Sequence, residues 1–270
     1  MGNRRIGRKR LESVIKKMAE TTPDSTGSRS GLKALGIPNH LAMPGKYFGM
    51  FDDFHAVTSN QGVVVNNDAA QATSVDSDLW NAAIGGSSDA IATDSTKTGG
   101  VLKFTLGSSA GEETAITAPQ MGFTIDASSA RQIWFEARLQ LDDISGAGFF
   151  CGLASNNGAV EATAIDSLED GVGFNCVTGA SPSILAIGAK GNTETTTDTG
   201  IDVADATWVI LSFHFDGTNC HWYVNGVKKV TSSSNLPNDG TIIFPHVEFT
   251  SVGTDQDVCY LDYVRCVMER

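Results

Sequence analysis

From about residue 51 to the C-terminus, apolar and polar positions alternate in short runs. Clusters of Gly, Asn, Asp and Ser separate the runs. A two-residue period over four to eight positions is the signature of a half-buried strand. The clearest predicted strands are 101–106, 132–141, 148–154, 171–177, 184–189, 208–215, 220–224, 227–231, 241–250 and 258–267. No long 3.6-residue period interrupts them; only Asp76 to Trp80 reads as a short helical turn. Many short strands joined by turn chemistry predict an all-β sandwich or barrel.

The stretch 208–231 gives the most detailed reading. Val209, Leu211, Phe213 and Phe215 share one face, and Asp216-Gly217-Thr218-Asn219 supplies a turn. Cys220, Trp222 and Val224 then face the same way, which places Trp222 in the core. Asn225-Gly226, a strong hairpin signal, sends the chain back through Val227 to Thr231. Pairing Phe215 with Cys220 sets His214 opposite His221 on the outer face.

The N-terminus follows a different period. Leu11, Val14, Ile15 and Met18 form one apolar helical stripe, and Arg4, Arg5, Arg8, Lys9 and Arg10 precede or flank it. Thr21 to Ser28 is a linker by composition. The division is a basic arm and linker (1–30), an irregular connection (31–50) and a β-sandwich (51–270). Charge follows it: residues 1–33 hold nine Lys/Arg against three Asp/Glu, a net of +6, and the rest holds ten against 28, a net of −18. A basic tail on an acidic body marks an interaction arm. Nucleic acid is a poor partner for that body, and the apolar stripe favours docking on a protein surface. Met1 to Arg10 leads into no apolar region, so it is not a secretory signal. No apolar run approaches the ~20 residues of a membrane helix. Five scattered cysteines with no CxxC read as buried apolar residues and not as a disulfide framework.

The strand 208–215, Asp216-Gly217-Thr218, and then Tyr223-Val224-Asn225-Gly226 resemble the laminin-G and concanavalin A-like superfamily. That resemblance covers about residues 50–270 and implies a two-sheet antiparallel jelly-roll sandwich. Met50 to Phe54 then looks like the opening strand and Leu261 to Arg265 like the closing strand beside it. The short basic arm ahead of such a body resembles tailed-phage virion proteins of the marine phage type. This implies a capsid decoration or cement protein, made in a host cytoplasm and resident in the virion. Its expected partner is the major capsid protein or another virion protein, with homo-oligomers on the shell. The alternative is a lectin-like carbohydrate-binding module, a head fibre or receptor-contact piece.

Catalysis is not expected from the sequence. Concanavalin A-like glucanases of family 16 carry Glu-x-Asp-x-x-Glu on one strand, whereas the stretch taken to correspond reads Glu136 to Asp142 with Arg138 and Leu139 in between. Gly-x-Ser-x-Gly, His-Glu-x-x-His and a Walker loop are absent. His214 and His221 are two cross-strand ligands of the kind Zn or Ni takes, without an evident third. No cofactor is expected; Ca²⁺ is the one candidate, through Asp52, Asp53, Asp166, Glu169, Asp170, Asp255 and Asp257. Trp80 is the aromatic residue left without an assigned place.

Overall fold

The computed structural model describes residues 45–54, 73–74, 79–86, 88–94, 96–97, 100–126, 131–155, 168–176, 182–253 and 255–270. The arm residues Arg4 to Met18 and Asp166 lie outside them, as do Asp76 to Asp78.

The described residues form seventeen strands and no helix. In chain order they are β1 (Tyr47–Asp52), β2 (Thr73–Ser74), β3 (Asn81–Ile84), β4 (Ala90–Thr93), β5 (Leu102–Thr105), β6 (Glu113–Thr117), β7 (Phe123–Asp126), β8 (Ile133–Leu141) and β9 (Ala147–Ala154). Then come β10 (Gly171–Cys176), β11 (Ser183–Lys190), β12 (Thr193–Asp202), β13 (Val209–Phe215), β14 (Cys220–Val224), β15 (Val227–Ser232), β16 (Asp239–Ser251) and β17 (Val258–Glu269). Sheet A runs β15-β14-β13-β8-β17-β5-β4, with β1 also on β17. Sheet B runs β12-β11-β10-β9-β16-β6-β3-β2, with β7 also on β16. All pairings are antiparallel. This is the two-sheet jelly-roll sandwich.

Alternation explains the packing. Ile133, Phe135, Ala137, Leu139 and Leu141 leave β8 on one side, and Phe149, Cys151 and Leu153 leave β9 toward them; all are fully buried in one core. Phe135 stacks on Phe213 at 5.2 Å, and Phe104 meets Phe249 across the sandwich at 4.8 Å. Each such ring contributes roughly 1.5–3 kcal/mol by leaving water. Trp222, 2% exposed, spans the layers and donates Nε1 to Gly173 O at 2.8 Å.

The predicted hairpin forms with the predicted register, Phe215 opposite Cys220 and His214 opposite His221. Asn225 and Gly226 both take positive φ (51° and 75°), as a tight hairpin turn of this chemistry requires. The closing strand β17 pairs with β1. All five cysteines are free and buried, and burial pushes the Cys176 thiol up to about 12. Strand β12 has no counterpart in the sequence reading. It is a Thr- and Asp-rich edge strand, mostly exposed, so neither apolar alternation nor β-branched apolar content marks it.

Candidate functional site

Each sheet has an outer face, and the two are built differently. On sheet B the register sets rows of outward residues across the strands. One row is Thr117 (β6), His246 (β16), Gly152 (β9), Gly173 (β10) and Ile187 (β11). The next is Ala115, Glu248, Phe150, Asn175 and Leu185. Beyond it, Thr250 faces Gly148. Three of these twelve positions are glycine, and Phe150 and Ile187 join Ala154, Leu168 and Ala189 in a second buried apolar cluster on the same face. Gly152 and Gly173 are required there: a Cβ on Gly152 would lie 2.3 Å from Val172 O, and one on Gly173 would lie 2.5 Å from Cys151 O.

Polar groups stand in these rows. Thr117 Oγ1 and His246 Nδ1 share a 2.7 Å hydrogen bond, and His246 Nε2 lies 3.2 Å from Glu248 Oε2. His246 and Glu248 are both fully buried, with Phe150 tilted against the imidazole at 5.8 Å. Asn175 Oδ1 and Thr250 Oγ1 are buried and accept or donate no hydrogen bond among the described residues. An orphaned buried polar atom costs about 1–3 kcal/mol, so two on one face call for a ligand or water to meet them. Farther along β16 the same outward positions become Phe244, half-buried, and Ile242, 54% exposed.

Sheet A covers its outer face with its own long side chains. Arg138 Nη1 donates to Asp262 Oδ2 at 2.6 Å and lies 4.3 Å from the centroid of Trp208. Lys97 Nζ sits 4.0 Å from the Tyr260 centroid and 5.6 Å from that of Trp208. Tyr263 Oη donates to Glu136 Oε1 at 3.0 Å. Burial pushes the Glu136 carboxyl up to about 7, against the opposing pull of the Tyr263 hydrogen bond and the Arg265 charge. The Trp208 and Tyr260 rings are already taken by cations, while Phe51, 49% exposed, lies 5.9 Å from the Tyr263 ring on the same face.

The sequence-predicted metal candidates do not gather. His214 stacks on Trp134 at 4.9 Å and bonds Gln132 Oε1 through Nε2, while His221 bonds Asp216 and Thr231. Both rings are committed to protein partners. Asp52 accepts from Phe54 N and Trp80 Nε1, which also places Trp80 in the core, and Asp170 accepts from Gly191 N. Among the described residues no three His, Cys, Asp or Glu side chains converge in a way that could hold a metal ion.

Neither a protein-family model nor a curated protein matches the sequence. Solved structures do match the fold. A β-1,3-glucanase from Mycobacterium marinum superposes with a TM-score of 0.53 at 15% identity, covering 80% of this chain and 97% of that one. The laminarinase catalytic domain from Thermotoga maritima MSB8 gives 0.51 at 14%, over 75% and 96%. The carbohydrate recognition domain of Emp46p gives 0.50 at 7%, over 80% and 97%. At such identities the likeness establishes the concanavalin A-like jelly roll and nothing finer.

It also corrects the expectation of a non-enzymatic protein. Glucanases with this architecture are among the matches, so the fold is one on which glycoside hydrolysis is built. Glu136, which opens the stretch set against Glu-x-Asp-x-x-Glu, is buried on the outer face of sheet A, on the opposite side of the sandwich from the outer face of sheet B. A missing Glu-x-Asp-x-x-Glu on that strand therefore decides nothing about sheet B. The site residues His246, Glu248, Thr117 and Asn175 were not singled out from sequence. The spacing of His246 and Glu248, two apart on a predicted strand, was the available signal; Thr117 and Asn175 join them only through the fold.

Proposed function

We propose that this chain is a glycan-binding sandwich whose ligand lies on the outer face of sheet B. The observation that carries the reading is the composition of that face: Gly148, Gly152 and Gly173 in its rows, the buried polar atoms of Asn175 and Thr250 without a partner among the described residues, and a half-buried Phe244 beside them. A flat floor admits a pyranose ring, the short polar groups meet its hydroxyls, and the aromatic ring receives its apolar side. Of the ten Lys/Arg residues after position 33, only Lys190 belongs to a strand of sheet B. A face so poor in cations and carrying Glu248 favours a neutral saccharide over an acidic one. The matching glucanases and carbohydrate recognition domain support a saccharide as the ligand class.

The test is retention on immobilised laminarin, with alginate as the acidic control, while released reducing ends are counted in the same samples. Retention on laminarin alone is the expected result, and the reducing-end count reports whether cleavage follows binding. Equal or stronger retention on alginate contradicts the assignment.

The charge split of the sequence supports a second reading, in which the sandwich is carried on a phage particle by its basic arm. Arg4, Arg5, Arg8, Lys9 and Arg10 would be steered to an acidic shell, and Leu11, Val14, Ile15 and Met18 would bury their stripe against it. Full-length protein is expected to bind purified phage particles, more weakly as salt rises. A chain beginning at Gly31 is expected not to bind; equal binding by that chain removes the arm as anchor.

A further inference from the structure

Strand β12 ends sheet B, and among the described residues it pairs with β11 alone. Six rungs, Thr193 to Asp198, run unbroken before the register shift at Ser183/Leu185. Alternate residues of such a strand turn their N–H and C=O groups away from the partner, and proteins usually guard that row with lysine, proline, a bulge or shortness. The other strands that end the two sheet paths are guarded: β2 has two residues, β4 has four, and β15 carries the exposed Lys228 and Lys229 and a register shift at mid-strand. Over its six regular rungs β12 has no such device, and its charges are acidic. Glu194, Thr196 and Asp198 stand opposite Ala189, Ile187 and Leu185, so they share the outer face. Glu194 Oε1 accepts from Leu168 N at 3.0 Å and Asp198 Oδ1 from Gly200 N at 2.7 Å, which fixes both carboxylates at the edge. No Lys or Arg occurs from Gly191 to Val227.

We propose that residues 4–8 of the basic arm add to this edge of their own chain as an extended strand. Paired strands face each other with alternate residues, so Glu194, Thr196 and Asp198 call for a cation, a strand former and a cation at successive alternate positions. Arg4, Ile6 and Arg8 have that order in either strand direction. The other frame, Arg5 and Lys9, sets Gly7 against Thr196 and makes the poorer strand. Main-chain hydrogen bonds hold the added strand, and the two Arg–carboxylate pairs set its register. The 36 residues from 9 to 44 span roughly 120 Å when extended, so reach is not limiting, and tethering favours the same chain over a second copy. The inference concerns the edge of sheet B and stands apart from the glycan reading of its face.

The experiment introduces Ile6→Cys and Thr196→Cys together into the full chain and oxidises it with diamide; the five native cysteines are buried. Position 6 meets position 196 in both strand directions. Expected is an intrachain 6–196 disulfide in monomers, formed about threefold less at ~0.5 M salt than at ~0.05 M. Two comparisons separate strand pairing from loose attraction. Ile6→Cys with Asp143→Cys, on another exposed acidic stretch, is expected to cross-link about fivefold less. Arg4→Glu with Arg8→Glu leaves the sandwich untouched. It is expected to cut the 6–196 cross-link about fivefold and, without the added cysteines, to speed amide exchange over 193–198. A 6–143 yield equal to that of 6–196, no 6–196 disulfide, or one found only between chains overturns the proposal.

Discussion

The outer faces of the two sheets arise from the same alternation and the same core, yet they are furnished with different side chains. On sheet A, Arg138, Trp208, Tyr260, Lys97, Tyr263 and Glu136 reach across neighbouring strands and contact one another, while Glu136 Oε2, Gln140 Oε1 and Ser212 Oγ are buried without a partner among the described residues. On sheet B the corresponding rows set Gly148, Gly152 and Gly173 among the polar Thr117, His246, Glu248 and Asn175 and the apolar Ala115, Phe150, Leu185 and Ile187. The lesson is that function is read from what a face leaves unfinished. The charged and aromatic cluster on sheet A is the richer one in conventional site residues, but its partners are internal. The plainer face of sheet B sets its own buried atoms without a partner among the described residues, on Asn175 and Thr250, beside the half-buried Phe244 and the exposed Ile242.

If the two faces share one core, the largest effect comes from the residue that ties them. Trp222→Ala removes a fully buried indole and orphans Gly173 O, and we expect a loss of about 3–5 kcal/mol in urea unfolding. Binding should weaken with it, because the floor of sheet B loses its support from below. A loss under about 1 kcal/mol would show the sheets to be energetically separate.

The next effect is a pH dependence that belongs to sheet A alone. The Glu136 carboxyl is raised from 4.5 to about 7 in the fold, chiefly by burial. Between those values the folded state holds a proton that the unfolded chain has released. Folding stability from this group is therefore complete at low pH and falls as pH rises toward 7, by up to about 3 kcal/mol. Glu136→Gln should flatten that slope between pH 4.5 and 7.5 and leave the variant more stable than the parent at the upper end. An unchanged slope would place the ionisable burden elsewhere.

Smaller still is the clamp. Arg138→Ala breaks the Asp262 bridge and uncovers Trp208, at a cost of about 1–2 kcal/mol, since both charged groups retain some contact with water. Glycan retention should not change. Phe244→Ala is the converse: a half-buried ring whose loss costs under about 1 kcal/mol of stability while binding suffers most.

Much of the fold was legible in the chain, for a physical reason. Val209 to Val224 alternates so strictly that face, register and turn are all determined locally, and Asn225-Gly226 selects the turn. Strand β12 was not legible because Thr, Glu and Asp on an exposed edge carry no burial pattern. The site was least legible of all. His246 and Glu248 are near neighbours in sequence, but Thr117 precedes His246 by 129 residues and Asn175 reaches the face through β9 and β10. Gly152 and Gly173 fall inside the predicted strands 148–154 and 171–177, but nothing in the sequence shows that the two meet side by side on one face. Glu136 lies on β8, and only the pairing of β8 within sheet A shows that it faces away from sheet B.

The central claim is that sheet B, and not sheet A, presents the ligand face. Retention on laminarin of Phe244→Ala and Arg138→Ala, measured side by side with the parent chain, tests it most directly. The account predicts at least a tenfold loss for Phe244→Ala and a change within twofold for Arg138→Ala. Loss of retention in Arg138→Ala with Phe244→Ala unaffected would move the site to sheet A and contradict it.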